Sequence, residues 1–259
     1  MANDLEVFVP SRSRPARSIT LEALKGHWDH VYLVVPKSQK ADYKPLARKH
    51  GVTLLACPVD GIAGTRQWIG QVAEDKFLML DDDLRFYRRM YGEDVSLHKF
   101  GKTDMQGMLT FVERFLYDRA HVAISARGGN NQLPYPWAEN KRPLRALAYR
   151  KREFLECEHG RVTIMEDFDV TLQLIRRGYA NVVITEYAQD QPVTQAAGGC
   201  SDYRTHKVHA DNVKKMAELH APFVKLRMKE NKTGGDFGKR LEATIYWQKA
   251  WETTFKALL

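Results

Sequence analysis

The sequence predicts an α/β protein in which a mostly parallel sheet is flanked by helices. Short apolar runs alternate with amphipathic segments through the first third of the 259 residues, and parallel strands need such crossovers. The fourth apolar run leads directly into three aspartates, 81 to 83. In an open α/β sheet, ligands bind at the carboxyl ends of the strands, so these carboxylates mark a candidate site.

The elements of this first third follow in a regular order. Strands are predicted where the apolar runs stand, at 5–9, 31–35, 52–56 and 77–80. Helices are predicted between them, at 18–25, 38–50 and 65–74. Ser18 or Thr20 can cap the first helix, and Gly26 and Gly51 can end the first two. The result is a βαβαβαβ unit of nucleotide-binding type.

The rest of the chain is less regular. Segment 84–102 loses periodicity and interleaves basic and aromatic residues at 85–91, which indicates a surface loop or a clamp for a phosphate backbone. Later elements are predicted from apolar spacing: a helix starting at Asp104, strands at 122–125 and 182–185, and helices starting near 166, 211 and 238.

The composition limits which binding partners and which cellular compartment are expected for the protein. Forty basic against 32 acidic residues give a formal charge of +8, which predicts an anionic partner: nucleotide phosphates, nucleic acid or anionic lipid. A merely basic protein is the alternative. No apolar run reaches the roughly 20 residues that span a bilayer, and the N-terminus lacks a signal-peptide pattern. Three scattered cysteines indicate neither a disulfide framework nor a zinc site. A cytoplasmic protein with no membrane partner is therefore expected.

The acidic residues fall into two groups. Asp81, Asp82 and Asp83 would repel one another unless a counter-charge is present, and a divalent cation shared with substrate phosphates would supply it. A solvated acidic turn is the alternative. Glu166 and Asp167 stand at a predicted helix start, where simple capping is the alternative explanation.

Two further segments have the composition of a binding site. The loop at 127–131 is rich in glycine and asparagine and would let the backbone approach a ligand closely. His206 and His209 follow a glycine-rich turn. A lone histidine is usually structural, but two near such a turn suggest a metal or phosphate contact.

Taken in order, these motifs resemble the GT-A family of nucleotide-sugar glycosyltransferases, over about the first 210 residues. The resemblance rests on 9–12 (VPSR), Pro36, 64–66 (GTR), 81–83 (DDD) and 166–167 (ED). Size, charge and the run of motifs look most like the small phage glycosyltransferases associated with TET/JBP-type base oxygenases. Those enzymes glycosylate hydroxymethylated pyrimidines in DNA.

The resemblance implies a role for each matching residue. A nucleoside-diphosphate sugar, with a UDP-sugar favoured, would bind along Pro10, Ser11, Arg12, Pro36, Arg66, Asp81 and Asp82. Mn²⁺ or Mg²⁺ would bind Asp83 and Asp81, with His206 or His209 completing its shell. Asp167, with Glu166, would remove the acceptor proton in an inverting reaction. Hydroxymethylated DNA would contact Arg127, Gly128, Gly129, Asn130 and Trp137.

The resemblance also divides the chain. Residues 1–210 would form the GT-A domain, with a donor half at 1–103 and an acceptor half at 104–210, and 211–259 a helical extension. Other functions compatible with the sequence are transfer to polysaccharide or protein, nucleotidyl transfer, and a non-enzymatic nucleic-acid-binding module. Nucleotidyl transfer is disfavoured because an N-terminal glycine-rich phosphate loop is missing. The sequence leaves the oligomeric state open.

Overall fold

The computed structural model describes residues 4–90, 96–128, 135–191, 205–230 and 239–258. Its strands are β1 (Leu5–Pro10), β2 (Val31–Pro36), β3 (Thr53–Cys57), β4 (Lys76–Leu80), β5 (Arg85–Met90), β6 (Ser96–Lys99), β7 (His121–Ala126), β8 (Trp137–Glu139), β9 (Ala146–Arg150), β10 (Asn181–Asp190), β11 (Val224–Glu230) and β12 (Lys239–Ile245). Its helices are α1 (Ile19–Leu24), α2 (Lys40–His50), α3 (Ile62–Val72), α4 (Asp104–Phe115), α5 (Lys151–Leu155), α6 (Glu166–Ile175), α7 (His206–Leu219) and α8 (Trp247–Leu258).

Ten strands form the central sheet, in the order β3-β2-β1-β4-β9-β7-β10-β5-β6, with β8 also paired to β10. The flank β3-β2-β1-β4 is parallel throughout. Beyond it, β9 runs antiparallel between β4 and β7, while β10 is parallel to β7 and antiparallel to β5. The α/β fold with a helix-flanked sheet is as the sequence predicts.

The order of the parallel strands fixes the position of the site. From β1 the chain moves outward to β2 and β3, then returns to place β4 on the other side of β1. Such a reversal opens a crevice at the carboxyl ends of the two central strands. Phe8 of β1 pairs with Met79 of β4, so the residues that follow the two strands emerge side by side.

Helices cover both faces of the sheet, which explains why β4 is buried along its whole length. Leu78 and Leu80 face a core formed with α1, α2 and α4. Phe77 and Met79 face a core formed with α3, α5 and α6. A third, smaller core joins α6 to α7 and α8. In the described part of the chain, no helix is both long enough and apolar enough to cross a membrane.

Two segments differ from the prediction. Residues 85–90 form β5, an antiparallel strand, and not a loop. Arg89, only 1% exposed, is enclosed by Ser125 Oγ, Thr185 O and Ala126 O, so it cannot clamp a phosphate. Residue 91 lies outside the described residues.

The extension at 211–259 is not purely helical, because β11 and β12 form an antiparallel pair before α8. Strands β6, β8 and β9 and helix α5 are not predicted from the sequence.

Candidate functional site

The first turn of α1 holds the backbone of the acidic triplet. Ser18 Oγ donates to the carbonyl of Asp82 at 2.9 Å, and Thr20 N donates to the same oxygen at 3.2 Å. The hydroxyl of Thr20 accepts from Leu84 N at 2.9 Å. The predicted cap, Ser18, thus caps α1 through Leu21 N and also fixes the turn after β4.

Asp82 faces the loop that follows β1. Ser11 Oγ donates to Asp82 Oδ2, and Arg14 Nη1 lies 3.0 Å from Oδ1. Ser11 also lies 3.0 Å from the hydroxyl of Tyr43. Burial raises the pKa of Asp82, against the opposing effects of Ser11 and Arg14. The motif after β1 and the acidic triplet after β4 therefore meet in one site.

Asp83 has both carboxylate oxygens engaged. Arg14 Nη1 donates to Oδ2 at 2.9 Å, and Gln191 Nε2 donates to Oδ1 at 2.8 Å. Neither partner is predicted from the sequence. Arg14 stands in the basic loop where Arg12 was selected, yet the half-exposed Arg12 reaches Asp60 at 4.0 Å. No local pattern marks Gln191, which follows the end of β10.

Arg66 joins the triplet to the later acidic pair. From α3 its Nη2 reaches Asp81 Oδ1 at 3.1 Å, and its Nη1 reaches Glu166 Oε1 at 2.6 Å. The Arg66 side chain is buried. Burial raises the pKa of Asp81 to about 6 and that of Glu166 to about 7, although the guanidinium acts in the opposite direction on both. One buried cation therefore compensates two carboxylates from distant parts of the chain.

Asp167 follows in the first turn of α6 and is 9% exposed. Its Oδ1 accepts from Phe168 N at 2.9 Å, and among the described residues its Oδ2 has no hydrogen-bond partner. A small pocket beside it is also lined by Arg66, Tyr149 and His159. The positive end of the α6 dipole favours a carboxylate here, so Asp167 combines a place in the first turn of the helix with an oxygen that has no hydrogen-bond partner among the described residues.

The prolines complete the edge of the sheet on which the triplet lies. Pro10 ends β1 opposite Val34, and Pro36 ends β2 opposite Cys57. Both therefore lie at the carboxyl ends of parallel strands, where the predicted donor site is.

The acidic triplet has the carboxylate oxygens that a divalent cation prefers, but one present partner of Asp83 would have to move for a cation to bind. Asp81 and Asp83 remain 25% and 15% exposed, and carboxylate oxygens are the ligands that Mg²⁺ and Mn²⁺ prefer. A cation bound by Asp83 would replace Arg14 or Gln191 on that carboxylate. Within the described ranges, no three His, Cys, Asp or Glu side chains are arranged to hold a metal.

The two histidines predicted as metal ligands lie on α7. His209 is buried, and its Nε2 lies 3.0 Å from the carbonyl of Leu241 on β12. His206 is exposed at the first position of the helix. Neither side chain has a described contact with the triplet, and their metal role stays a prediction.

The predicted acceptor residues are placed only in part. Arg127 follows β7, packs its guanidinium 4.8 Å from the ring centroid of Tyr87, and reaches Asp190 at 3.3 Å. Asp190 precedes Gln191, so this loop begins beside the residue that contacts Asp83.

The remaining acceptor candidates lie around this loop. A β-carbon added at Gly128 would meet nothing within 4 Å, so the backbone there is open to a ligand. Trp137, 38% exposed, packs edge-on against Phe115. Gly129 and Asn130 lie outside the described residues.

Curated relatives come from two phages. The chain is 22% identical over 221 residues to the beta-glucosyl-HMC-alpha-glucosyl-transferase of Enterobacteria phage T2, covering 79% of this chain and 77% of that protein. The protein of the same name from Enterobacteria phage T6 is 23% identical over 216 residues, with the same coverage.

Solved structures resemble the chain more loosely. A 4-diphosphocytidyl-2C-methyl-D-erythritol synthase from Anaerococcus prevotii matches with a TM-score of 0.44 and 10% identity, over 74% of this chain and 91% of that one. A mannose-1-phosphate geranyltransferase from Thermus thermophilus matches with a TM-score of 0.43 and 13% identity, over 72% and 76%.

The sequence pattern of one family matches residues 5–199, about three quarters of the chain. The matched range includes the loop after β1, the acidic triplet, Arg66 and the start of α6, which are the parts that the structure assembles around one crevice. The chain belongs to the TET-associated glycosyltransferase family.

Proposed function

We propose that this enzyme transfers a sugar from a nucleoside-diphosphate sugar, with a UDP-sugar favoured, to a hydroxyl of 5-hydroxymethylcytosine in DNA. Family membership supports the reaction class, and the names of the phage relatives support the acceptor, since both contain HMC. The net charge of +8 suits a polyanionic acceptor. The cytoplasm of a phage-infected host is the setting that we infer from these relatives.

The observation that carries the proposal is the contact of Arg66 with both Asp81 and Glu166. Through this contact, one guanidinium bridges the acidic triplet at 81–83, which suits a cation and a diphosphate, and the pair at 166–167, which suits proton transfer. Sugar transfer has these two requirements. The diphosphate needs its charge neutralised to leave, and a hydroxyl needs a positioned base to attack.

In the donor half, proposed as residues 1–103, Asp81 and Asp83 would hold Mn²⁺ or Mg²⁺, with His206 or His209 as a further ligand. The cation would neutralise charge on the departing diphosphate. Ser11, Asp82 and the prolines at the strand ends would line the nucleotide, with Arg12 at the rim. Arg14 would turn from Asp83 towards the phosphates once the cation takes its place.

In the acceptor half, proposed as 104–210, Asp167 Oδ2 would accept the proton of the attacking hydroxyl. The new bond forms between the acceptor oxygen and the anomeric carbon while the bond from that carbon to the diphosphate breaks. One base suffices for a single inverting displacement. Glu166 would position Arg66 beside this base.

A base inside a duplex cannot reach such a crevice, so the acceptor nucleotide would be flipped out of the stack. Arg127, Gly128, Gly129, Asn130 and Trp137 are the residues that we propose for holding it. Arg127 supports this role by its position at the end of β7, next to the residues that lead to Gln191 and Asp83.

The test is mass spectrometry of DNA after incubation with the protein, Mn²⁺ or Mg²⁺, and a mixture of nucleotide sugars. Ordinary DNA, hydroxymethylcytosine DNA and glucosylated hydroxymethylcytosine DNA serve as acceptors, with and without a chelator. We expect a hexose or pentose mass increment on a hydroxymethylated base, lost with the chelator. A polysaccharide and a protein are offered in parallel; DNA that stays unmodified in every arm while one of these is glycosylated would refute the DNA acceptor.

A further inference from the structure

The two-stranded ribbon formed by β11 and β12 stands apart from the ten-stranded sheet. The strands pair over seven residues each, from Val224 opposite Ile245 to Glu230 opposite Lys239. Beyond Val224 all of β11 is exposed, whereas β12 is half-buried after its first residue. The ribbon also lies beyond residue 199, where the family match ends.

One face of β11 carries three cations. Lys225, Arg227 and Lys229 alternate along the strand and are all exposed. Alternate residues of a strand share a face at a spacing of about 6.7 Å, so the three charges extend over roughly 13 Å. Within the described part of the chain, none of the three has an ion-pair partner.

The nearby acids are already engaged with other bases. Glu230 lies 3.1 Å from Lys239, and Glu242 pairs with Arg240. The three cations of β11 therefore keep their charge available to an external anion.

Helix α7 connects this ribbon to the proposed catalytic centre. His209 Nε2 lies 3.0 Å from the carbonyl of Leu241 on β12. One turn further along, Asn212 Oδ1 accepts from Thr163 N at 2.8 Å, and Asn212 Nδ2 donates to Thr163 Oγ1 at 3.0 Å. Thr163 lies in the loop that leads into Glu166. The same helix therefore positions both the ribbon and the start of α6.

From this arrangement we infer that the β11–β12 ribbon binds the phosphate backbone of the duplex that carries the acceptor base. The inference rests on the proposed function for the choice of DNA. A DNA duplex offers one negative charge per about 1.7 Å of its axis, which complements a row of cations that have no carboxylate partner among the described residues; Lys225 Nζ lies 5.8 Å from the ring centroid of Tyr246. Charged side chains along an exposed strand also disfavour edge-to-edge pairing with a second copy.

The test compares two charge-matched triple variants. Lys225→Ala, Arg227→Ala and Lys229→Ala remove the row on β11. Lys40→Ala, Lys44→Ala and Arg48→Ala remove three exposed cations from α2, at the far edge of the sheet. Both variants lose the same net charge, and thermal melting checks that both are folded.

Binding to a fluorescent hydroxymethylcytosine duplex is measured by anisotropy at several salt concentrations. We expect the β11 variant to bind at least about 10-fold more weakly, and the slope of log K against log salt to become shallower by about 2 to 3. The α2 variant should stay within about 2-fold of wild type. Equal weakening in both variants, or none in either, would overturn the inference, because net charge or another surface would then account for binding.

Three controls separate the other possibilities. Hydrolysis of the nucleotide sugar without DNA should be unchanged in the β11 variant, since the ribbon does not contribute to the donor site. If the wild type glycosylates DNA and the β11 variant binds DNA as tightly as the wild type, only the DNA-binding role of the ribbon is refuted. If the wild type transfers sugar to no DNA, the proposed function is refuted. Loss of vesicle binding or of self-association in the β11 variant, with DNA binding intact, would assign the ribbon to a membrane or to a second copy.

Discussion

Arg66 donates from Nη1 to Glu166 Oε1 across 2.6 Å, and this contact joins α3 to the first residue of α6. Both side chains are largely buried, at 9% and 13% exposure. Buried carboxylates need a compensating charge, because the low-dielectric interior cannot solvate them. The second contact of Arg66, with Asp81, means that its loss would leave two carboxylates without their cation.

We therefore expect Arg66→Ala to destabilise the protein by about 3–5 kcal/mol at pH 7, the range seen when one partner of a buried pair is removed. Urea denaturation measures this. Arg66→Lys should recover part of the loss, because an ammonium keeps the charge but lacks the two-pronged geometry. Arg48→Ala on the exposed face of α2 is the control and should change stability little. An Arg66→Ala protein as stable as the wild type would mean that the pair is not a structural link.

Asp167→Asn should slow sugar transfer strongly and leave donor binding largely intact. The amide keeps the size of the side chain and can still accept from Phe168 N, but it cannot take a proton from a hydroxyl. General-base catalysis contributes roughly 10²- to 10⁴-fold, so turnover should fall by about that factor. Single-turnover assays report the first effect and nucleotide-sugar titration the second.

Asp83→Ala is the contrasting variant, because it removes a proposed cation ligand and should weaken donor binding as well as turnover. If Asp167→Asn turned over normally, Asp167 would be a helix cap with no part in catalysis.

Arg14 and a divalent cation would compete for Asp83, whose Oδ2 lies 2.9 Å from Nη1 of Arg14. Removing the guanidinium should therefore strengthen Mn²⁺ binding in the absence of nucleotide. We expect Arg14→Gln to show a larger Mn²⁺-induced rise in melting temperature than wild type, since a ligand that binds only the folded state stabilises it.

Arg12→Gln is the matched control for Arg14, because Arg12 contacts Asp60 and not the triplet. A smaller Mn²⁺ effect in Arg14→Gln than in wild type would show that Arg14 does not compete with the cation.

His121 lies fully buried on β7, with Nδ1 donating to Ala148 O at 2.9 Å and its ring stacked on Tyr149. Burial lowers its pKa from 6.5 to about 4. Between these values the unfolded chain binds more protons than the folded one, so the free energy of unfolding falls as the pH drops from 6.5 to 4. The full effect of such a shift is roughly 3 kcal/mol.

We expect His121→Gln to lower the free energy of unfolding at pH 7. Between pH 6.5 and 4 the variant should also show a shallower pH dependence of that free energy, by up to about 1.4 kcal/mol per pH unit, because glutamine does not bind the proton that the histidine binds in the unfolded chain. Denaturant titrations at several pH values give this slope. The wild type, measured in parallel, gives the reference slope. Identical slopes for wild type and His121→Gln would show that His121 titrates normally.

The sequence predicts those parts of the fold that depend on the local pattern of apolar residues and helix-ending glycines. The four parallel strands at the start of the chain are rich in apolar residues, and Gly51 ends α2 in the left-handed conformation, as glycine permits. Segment 85–90 misled the prediction because its basic residues are typical of a solvent-facing loop. In β5 one of them, Arg89, is buried by hydrogen bonds to carbonyls of β7 and β10, which only the assembled sheet provides.

The candidate site, too, could be predicted from the sequence only in part. The acidic motifs are recognisable in sequence because carboxylates follow strand and helix boundaries. The partners of those carboxylates are not recognisable, because pairing depends on distance in space. Arg14 and Gln191 lie 69 and 108 residues from Asp83, and nothing in either neighbourhood distinguishes them from surface residues. Their role emerges once β1 and the end of β10 are placed beside β4.

Two glycines of α3 provide a last test, of packing. A β-carbon added at Gly70 would stand 2.2 Å from Cε1 of Phe154, and that ring is itself held between Phe77, Tyr149 and His159. A β-carbon at Gly64 would meet only Val59, at 3.4 Å.

Helix propensity alone would make both Gly→Ala changes stabilising by up to about 1 kcal/mol. We expect this only for Gly64→Ala. Gly70→Ala should destabilise by about 1–3 kcal/mol, because overpacking a closed core forces side chains or backbone to shift. Urea denaturation of the two variants compares identical chemistry within one helix. Equal stabilisation of both would show that Phe154 yields freely, and that α3 and α5 are packed more loosely than their contact indicates.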